Sequence, residues 1–181
     1  MEGNFLRILT FNEIKNYEKQ ILLSESSERF LKRYESSEYK NVFLSHSSED
    51  IDKIPGIIKF LEQFGASVYI DKIDKELPKI TNRETAEILK NRIITISKFI
   101  VFVTPNSKES KWIPWELGLA DGMKDTKNIA ILPAAQYESE TQWTEMEYLG
   151  IYPKIMNYNG NWVVYYPYNN EVIYLRNWLK T

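Results

Sequence analysis

The chain has 181 residues, 43% of them hydrophobic and 27% charged; this globular balance excludes a disordered chain and bounds the protein at one domain with, at most, an appendage. Lys plus Arg number 23 against 25 Asp plus Glu, for a net charge of -2, so no global field draws in nucleic acid or an anionic membrane. With no cysteine and one histidine, disulfides, thiol nucleophiles, thiolate metal sites and a His-rich metal centre are all excluded.

The opening residues Met1-Glu2-Gly3-Asn4-Phe5 lack a basic segment with an apolar run behind it. No stretch approaches the ~18 consecutive apolar residues of a membrane span. The expectation is a soluble, cytoplasmic protein with neither membrane nor nucleic acid as partner.

Residues 11–39 carry Ile14, Tyr17, Ile21, Leu22, Phe30, Leu31 and Tyr34 at roughly helical spacing, without Gly or Pro. They read as one or two amphipathic helices broken near Ser24 to Ser27. This gives a helical N-terminal extension over 1–39 and a main domain over 40–181. The extension either covers part of the main domain or serves in oligomerisation.

From Lys40 the pattern changes to short apolar runs separated by helical segments. Val42-Phe43-Leu44 is a compact strand, followed by the polar cluster Ser45-His46-Ser47-Ser48-Glu49-Asp50 and a helix over 51–64 that Gly65 stops. A second strand spans 67–71, and a polar loop with Pro78 leads to a helix over 83–95. Phe99-Ile100-Val101-Phe102-Val103 has the continuous apolar character of a central strand buried on both faces. It ends at the turn signal Thr104-Pro105-Asn106. A helix over 112–123 follows, then a fourth strand at 129–132, closed by Pro133. Alternating strands and helices imply an α/β fold, with a parallel sheet covered on both faces. Ligands of such sheets sit at the carboxyl ends of the strands.

Beyond Pro133 the pattern is less regular. Eleven of the 17 Trp and Tyr residues fall between Tyr137 and Trp178. Trp162 to Tyr166 reads as an edge or final strand, and residues 170–179 as a closing helix with Val172, Leu175, Trp178 and Leu179 on one side. These aromatics cover the sheet or form contacts between subunits.

Neither a phosphate-binding glycine loop nor a nucleophile elbow is present, which leaves carboxylates as the chemical groups. One candidate locus is Ser45 to Asp50, just past the carboxyl end of the first strand. Ser48 or Asp50 could simply cap the following helix, but Ser45 and His46 come too early for that. The other locus is Ser110 to Ala120, after the third strand, which opens onto the same end of the sheet. If the helix already includes Trp112, then Trp112 and Glu116 share a face; Pro114 at the first helical position would instead place Trp112 just before it. In either case Glu116 lies where the helix dipole favours a negative charge. The plainer alternative is an ordinary N-terminal glutamate beside two core tryptophans.

The order of these fragments, Phe43 to Asp50, then Val68-Tyr69-Ile70-Asp71, then Ile100 to Pro105 and Ser110 to Leu117, resembles the TIR (Toll/interleukin-1 receptor) domain, in particular its bacterial branch. The similarity covers about residues 40–180. It implies a flavodoxin-like α/β fold with a parallel sheet of about five strands. It further implies an enzyme that cleaves NAD+ at the nicotinamide–ribose bond, with NAD+ as substrate and no separate cofactor or metal. Glu116 matches the catalytic glutamate, Trp112 the aromatic wall, and Ser45, His46, Ser47 and Asp71 the ligand-contacting segments. Products would be ADP-ribose or a cyclic isomer, made in antiphage defence for an effector protein that responds to the nucleotide. Assembly would be a homo-oligomer through TIR–TIR contacts. The loop over 72–82 departs from the receptor type, since it lacks the Arg-Asp and Pro-Gly pairs used for adaptor contacts. Two other readings remain: a non-enzymatic module acting through TIR–TIR contacts, and an enzyme similar to nucleoside deoxyribosyltransferases.

Overall fold

The computed structural model describes residues 6–34, 39–71, 83–140 and 147–181. In chain order the elements are β1 (Leu6–Arg7), β2 (Leu9–Thr10), α1 (Phe11–Leu22), α2 (Ser27–Lys32), β3 (Val42–Ser45), α3 (Ile54–Glu62) and β4 (Val68–Tyr69). They continue with α4 (Arg83–Thr95), β5 (Lys98–Val103), α5 (Trp112–Met123), β6 (Ile129–Ala135), β7 (Lys154–Tyr158), β8 (Asn161–Tyr166), β9 (Glu171–Tyr174) and α6 (Leu175–Trp178). The main sheet runs β4-β3-β5-β6-β7-β8-β9. From β4 to β7 every pairing is parallel. Counted along the parallel strands alone, the order is 2-1-3-4-5, that of a flavodoxin-like sheet, with its reversal between β3 and β5.

The central strands alternate between two hydrophobic clusters, as the two-residue period of a strand requires. Val42 and Leu44 of β3, with Ile100 and Phe102 of β5, join a cluster formed with α1, α2, α3 and the C-terminal Trp178. Phe43, Phe99, Val101 and Val103 face the other way, against Leu89 and Ile93 of α4 and Ile113 and Leu117 of α5. Each fully buried side chain of this kind is worth ~1.5–3 kcal/mol, so the sheet is held from both sides, with the larger cluster on the face of α1, α2 and α3.

The segment before Lys40 is part of this packing. Thr10 caps α1 with a reciprocal box: its hydroxyl accepts from the Glu13 N–H at 3.2 Å, while its own N–H donates to Glu13 Oε2 at 2.9 Å. Ile14 and Ile21 of α1 are buried, and Tyr17 packs on Phe60 of α3 with ring centroids 5.6 Å apart. The helices lie where the apolar spacing puts them, with the break at Ser24 to Ser26. The pair of short strands before them has no such signal. β6 and β7 pair only at Ile131 and Lys154 and then part. β2 fills the fork on the β6 side, with Leu9 opposite Ala134, and β1 on the β7 side, with Leu6 opposite Tyr158.

Four further differences from the sequence reading have local causes. The helix expected over 51–64 is a 3-10 turn, Ser48–Lys53, followed by α3, because Pro55 starts a new helix at its favoured first turn. Strand β6 does not close at Pro133 but continues to Ala135. The missing N–H of Pro133 falls where β6 exchanges its β7 neighbour for β2, so no ladder bond is lost there. Trp162 to Tyr166 lie in β8, which is not an edge: β7 and β9 flank it, both antiparallel. The start of the closing helix is strand instead, since Glu171 to Tyr174 pair with β8 as β9 and only Leu175 to Trp178 are helical.

Candidate active site at the carboxyl end of the sheet

Strand β3 ends in Ser45, whose parity with Phe43 turns it toward α5. Helix α5 opens at Trp112, so Pro114 lies inside its first turn rather than at its first position. Two turns of chemistry follow from that phase: Trp112 and Glu116 sit one above the other on the same side, and Glu116 points back to the sheet. There the Ser45 hydroxyl donates a 2.5 Å hydrogen bond to Glu116 Oε2. Ser45 is fully buried and Glu116 is 2% exposed. A carboxylate so enclosed needs charge-assisted hydrogen bonds to hold it, and Ser45 supplies one across the gap between β3 and α5.

The neighbouring residues divide in their roles. His46 is buried, with Nδ1 3.4 Å from the Leu44 carbonyl oxygen. Ser47 caps the following 3-10 turn by accepting from the Glu49 N–H at 3.3 Å. The capping expected of Ser48 or Asp50 is therefore performed by Ser47. Asp71 follows β4 at the same end of the sheet, one strand from Ser45, and is half-buried. Trp112 is 38% exposed and is braced by Trp115 in an edge-on contact with centroids 5.3 Å apart. It is therefore partly open to solvent, one helical turn before the buried Glu116. The loop over 72–82 lies outside the described residues.

Asp50 takes a part that its place in the sequence does not suggest. It is fully buried, and its Oδ2 accepts from Thr104 Oγ1 at 2.8 Å and from Ser107 Oγ at 3.4 Å. Its Oδ1 lies 3.3 Å from Lys53 Nζ. Burial works against the Lys53 ammonium, but the carboxylates of Asp52 and Asp50 outweigh it and raise its pKa above the ordinary 10.5. Thr104 and Ser107 belong to the turn that carries the chain from β5 toward α5. Thr104 N donates to Ser107 Oγ at 2.9 Å, and Asn106 N donates to Thr104 Oγ1 at 3.1 Å. The acid thus ties the turn after β3 to the turn after β5. A short polar run after a strand offers a sequence signal for local capping, but none for a bond to residues more than fifty positions away.

Among the described residues no group of three His, Asp or Glu side chains is placed to hold a metal ion, and no helix is long and apolar enough to cross a membrane. Two shallow grooves of about 170 and about 240 Å3 lie along β8 and β9, between Tyr158, Tyr174 and Arg176. Neither touches Ser45 or Glu116.

A parallel sheet in this strand order, with a buried acid at the start of the helix after the third parallel strand, is accompanied by a sequence match to the TIR domain family over residues 42–150. The chain belongs to that family. Among individual proteins, it is 34% identical over 182 residues to the probable 3′ cyclic ADP-D-ribose synthase ThsB′ of Bacillus cereus (strain MSX-D12), covering 93% of each chain. It is 38% identical over 130 residues to the putative cyclic ADP-D-ribose synthase TIR2 of Cytobacillus dafuensis. That match takes in 64% of this chain and 33% of the relative, so the chain spans about a third of that protein's length. A metazoan TIR-STING receptor from C. gigas aligns structurally with a TM-score of 0.46 at 14% identity, over 63% of this chain and 36% of the receptor chain.

Proposed function

We propose that the protein is an enzyme that breaks the nicotinamide–ribose bond of NAD+ and closes the remaining ADP-ribose into a cyclic isomer. The observation that carries this reading is the buried Glu116 held by Ser45 at the sheet's point of reversal, in a chain 34% identical along almost its whole length to a probable cyclic ADP-D-ribose synthase.

One carboxylate suffices for this chemistry. A glycosidase with an alkoxide leaving group needs a second acid to protonate it. Nicotinamide departs as a neutral molecule, because the electron pair of the breaking C–N bond neutralises the pyridinium nitrogen. The positive charge that develops at the ribose carbon is stabilised by the Glu116 carboxylate, and preorganised charge in an enclosed site is worth far more than the same charge in water. Ser45 fixes the carboxylate's orientation in advance, so little reorganisation is needed as the bond breaks. Trp112 supplies a flat wall at the mouth that stacks on a ring of the substrate and excludes water. With water excluded, the nucleophile that captures the ribose carbon comes from the same molecule, an adenine nitrogen or a ribose hydroxyl. If a hydroxyl attacks, its proton leaves to Glu116. Atoms balance as NAD+ giving nicotinamide, a cyclic ADP-ribose isomer and one proton.

Ser45, His46, Ser47 and Asp71 line the substrate's approach from the ends of β3 and β4. The pyrophosphate, lacking a glycine loop to cradle it, is met by backbone amides and by Lys111. The enzyme works in the cytoplasm as a homo-oligomer through TIR–TIR contacts, and its product signals to an effector protein in antiphage defence. Incubation of the purified protein with NAD+, with nicotinamide release followed and the nucleotide product identified by mass spectrometry, tests the reading. A cyclic product that disappears in Glu116→Gln is expected. Undiminished turnover in Glu116→Gln would sink the site assignment, and ADP-ribose as the sole product would sink cyclisation.

A further inference from the structure

We infer that Asp50 is a positioning residue for the reaction, acting through the turn after β5 to hold α5, and with it Glu116, against Ser45; this rests on the reading of Glu116 as the catalytic carboxylate. The carboxylate is 0% exposed and satisfies two hydroxyl donors on one oxygen and an ammonium on the other. A lone cap needs none of this, and Ser47 already caps the 3-10 turn from which Asp50 comes.

The geometry gives the acid a single mechanical task. Residues 45–47, which start at the end of β3, and residues 104–107, at the end of β5, border the crevice where the strand order reverses. They share no backbone ladder beyond Ser45 and Val101, so past that pair the two turns are joined by side chains. Asp50 supplies that joint. On the far side of the second turn the chain has only Lys108 to Lys111 to cross before α5 begins at Trp112. A turn displaced at Thr104 therefore moves the start of α5, and the Ser45–Glu116 bond spans exactly that movable gap. Lys53, the third partner of Asp50, lies 5.3 Å from the centroid of the Phe11 ring at the start of α1, so the joint also rests on the N-terminal segment.

Loss of the joint leaves the chemical groups present but misplaced, and a displacement of about 1 Å costs up to roughly a hundredfold in rate. The effect belongs on kcat, since Glu116 acts on the charge that appears only as the bond breaks. The test compares Asp50→Asn, Thr104→Val and Thr104→Ser with the parent chain and with Glu116→Gln, measuring kcat and KM for NAD+ and the urea midpoint of each. Thr104→Val removes one hydroxyl with little change of shape and guards against an Asp50 variant that fails to fold. Expected is a kcat lowered about tenfold or more in both Asp50→Asn and Thr104→Val, with KM within about twofold and Thr104→Ser close to the parent. The double variant Asp50→Asn, Thr104→Val should be no slower than the worse single one, because both break the same joint. Lowered urea midpoints with kcat unchanged in the folded fraction would overturn the inference and leave Asp50 a purely structural acid. A Glu116→Gln chain that still turns over NAD+ would overturn the underlying reading instead, whatever the Asp50 variants do.

Discussion

Helix α1 approaches α3 at Gly56 more closely than any side chain would allow, and Gly56→Ala puts a number on that approach. A Cβ built on Gly56 lies 2.5 Å from the Ile14 carbonyl oxygen and 2.7 Å from Ile14 Cγ2. Ordinary contact begins near 3.4 Å, so the α1 backbone has to retreat by about 0.9 Å, and no rotamer change relieves a clash with a carbonyl. Overpacking of this kind costs ~1–3 kcal/mol, and the rigid neighbour places it toward the upper end. Against this, alanine gains about 1 kcal/mol over glycine inside a helix. The clash wins by roughly 1–2 kcal/mol, as a difference of the two figures. Urea unfolding should show a lower midpoint at unchanged slope, and amide exchange should quicken along α1 ahead of β3 and β5. A variant more stable than the parent by the full propensity gain would mean that α1 does not sit on α3 as described.

Acid should loosen the same N-terminal segment. Burial opposes the Glu13 charge, but hydrogen bonds from Arg7 and Thr10 outweigh it and lower its pKa below the ordinary 4.5. The unfolded chain takes up the proton first, so this stabilisation is complete above the unfolded value and is lost as pH falls through the folded one; urea midpoints between about pH 6 and about pH 3 should fall less steeply in Glu13→Gln. Trp112→Ala should raise KM for NAD+ about tenfold or more, the range of a lost base–aromatic stack, with Trp112→Phe intermediate; steady-state kinetics decide, and an unchanged KM would remove Trp112 from the site. Trp178 is 1% exposed and its indole N–H donates to the Lys127 carbonyl at 2.7 Å; Trp178→Ala should destabilise by ~3–5 kcal/mol in the same unfolding assay.

What could be read in advance followed from the kind of signal each element carries. β5 announces itself in Phe99 to Val103, because a strand covered on both faces is apolar throughout. Helix α4 falls within the expected 83–95, and α5 opens at Trp112, the earlier of the two starts the sequence left open. The strands β1, β2, β7 and β9 left no comparable mark. β1 and β2 are two residues each and exist only because β6 and β7 part and need partners. In β9 the spacing of Val172 to Leu175 and Trp178 suits a helix as well as a strand, and pairing with β8 decides it. At the site, the sequence put Ser45 and Glu116 at the same end of the sheet. The bond between them, and the link from Asp50 to Thr104, are long-range facts that no local pattern encodes.

The fork that β1 and β2 occupy also orders events in time. Leu6 pairs with Tyr158, and Leu9 with Ala134, so β1 and β2 leave the ribosome long before the strands they pair with. At ~5–20 residues per second that interval is on the order of ten to thirty seconds. Pairings of such sequence separation form late and slowly. The α1 helix packs chiefly on α3, through pairs such as Tyr17 and Phe60, and can dock long before them. During that interval β1 and β2 stand unpaired beside a docked α1, and the arrival of β6 and β7 ends their exposure.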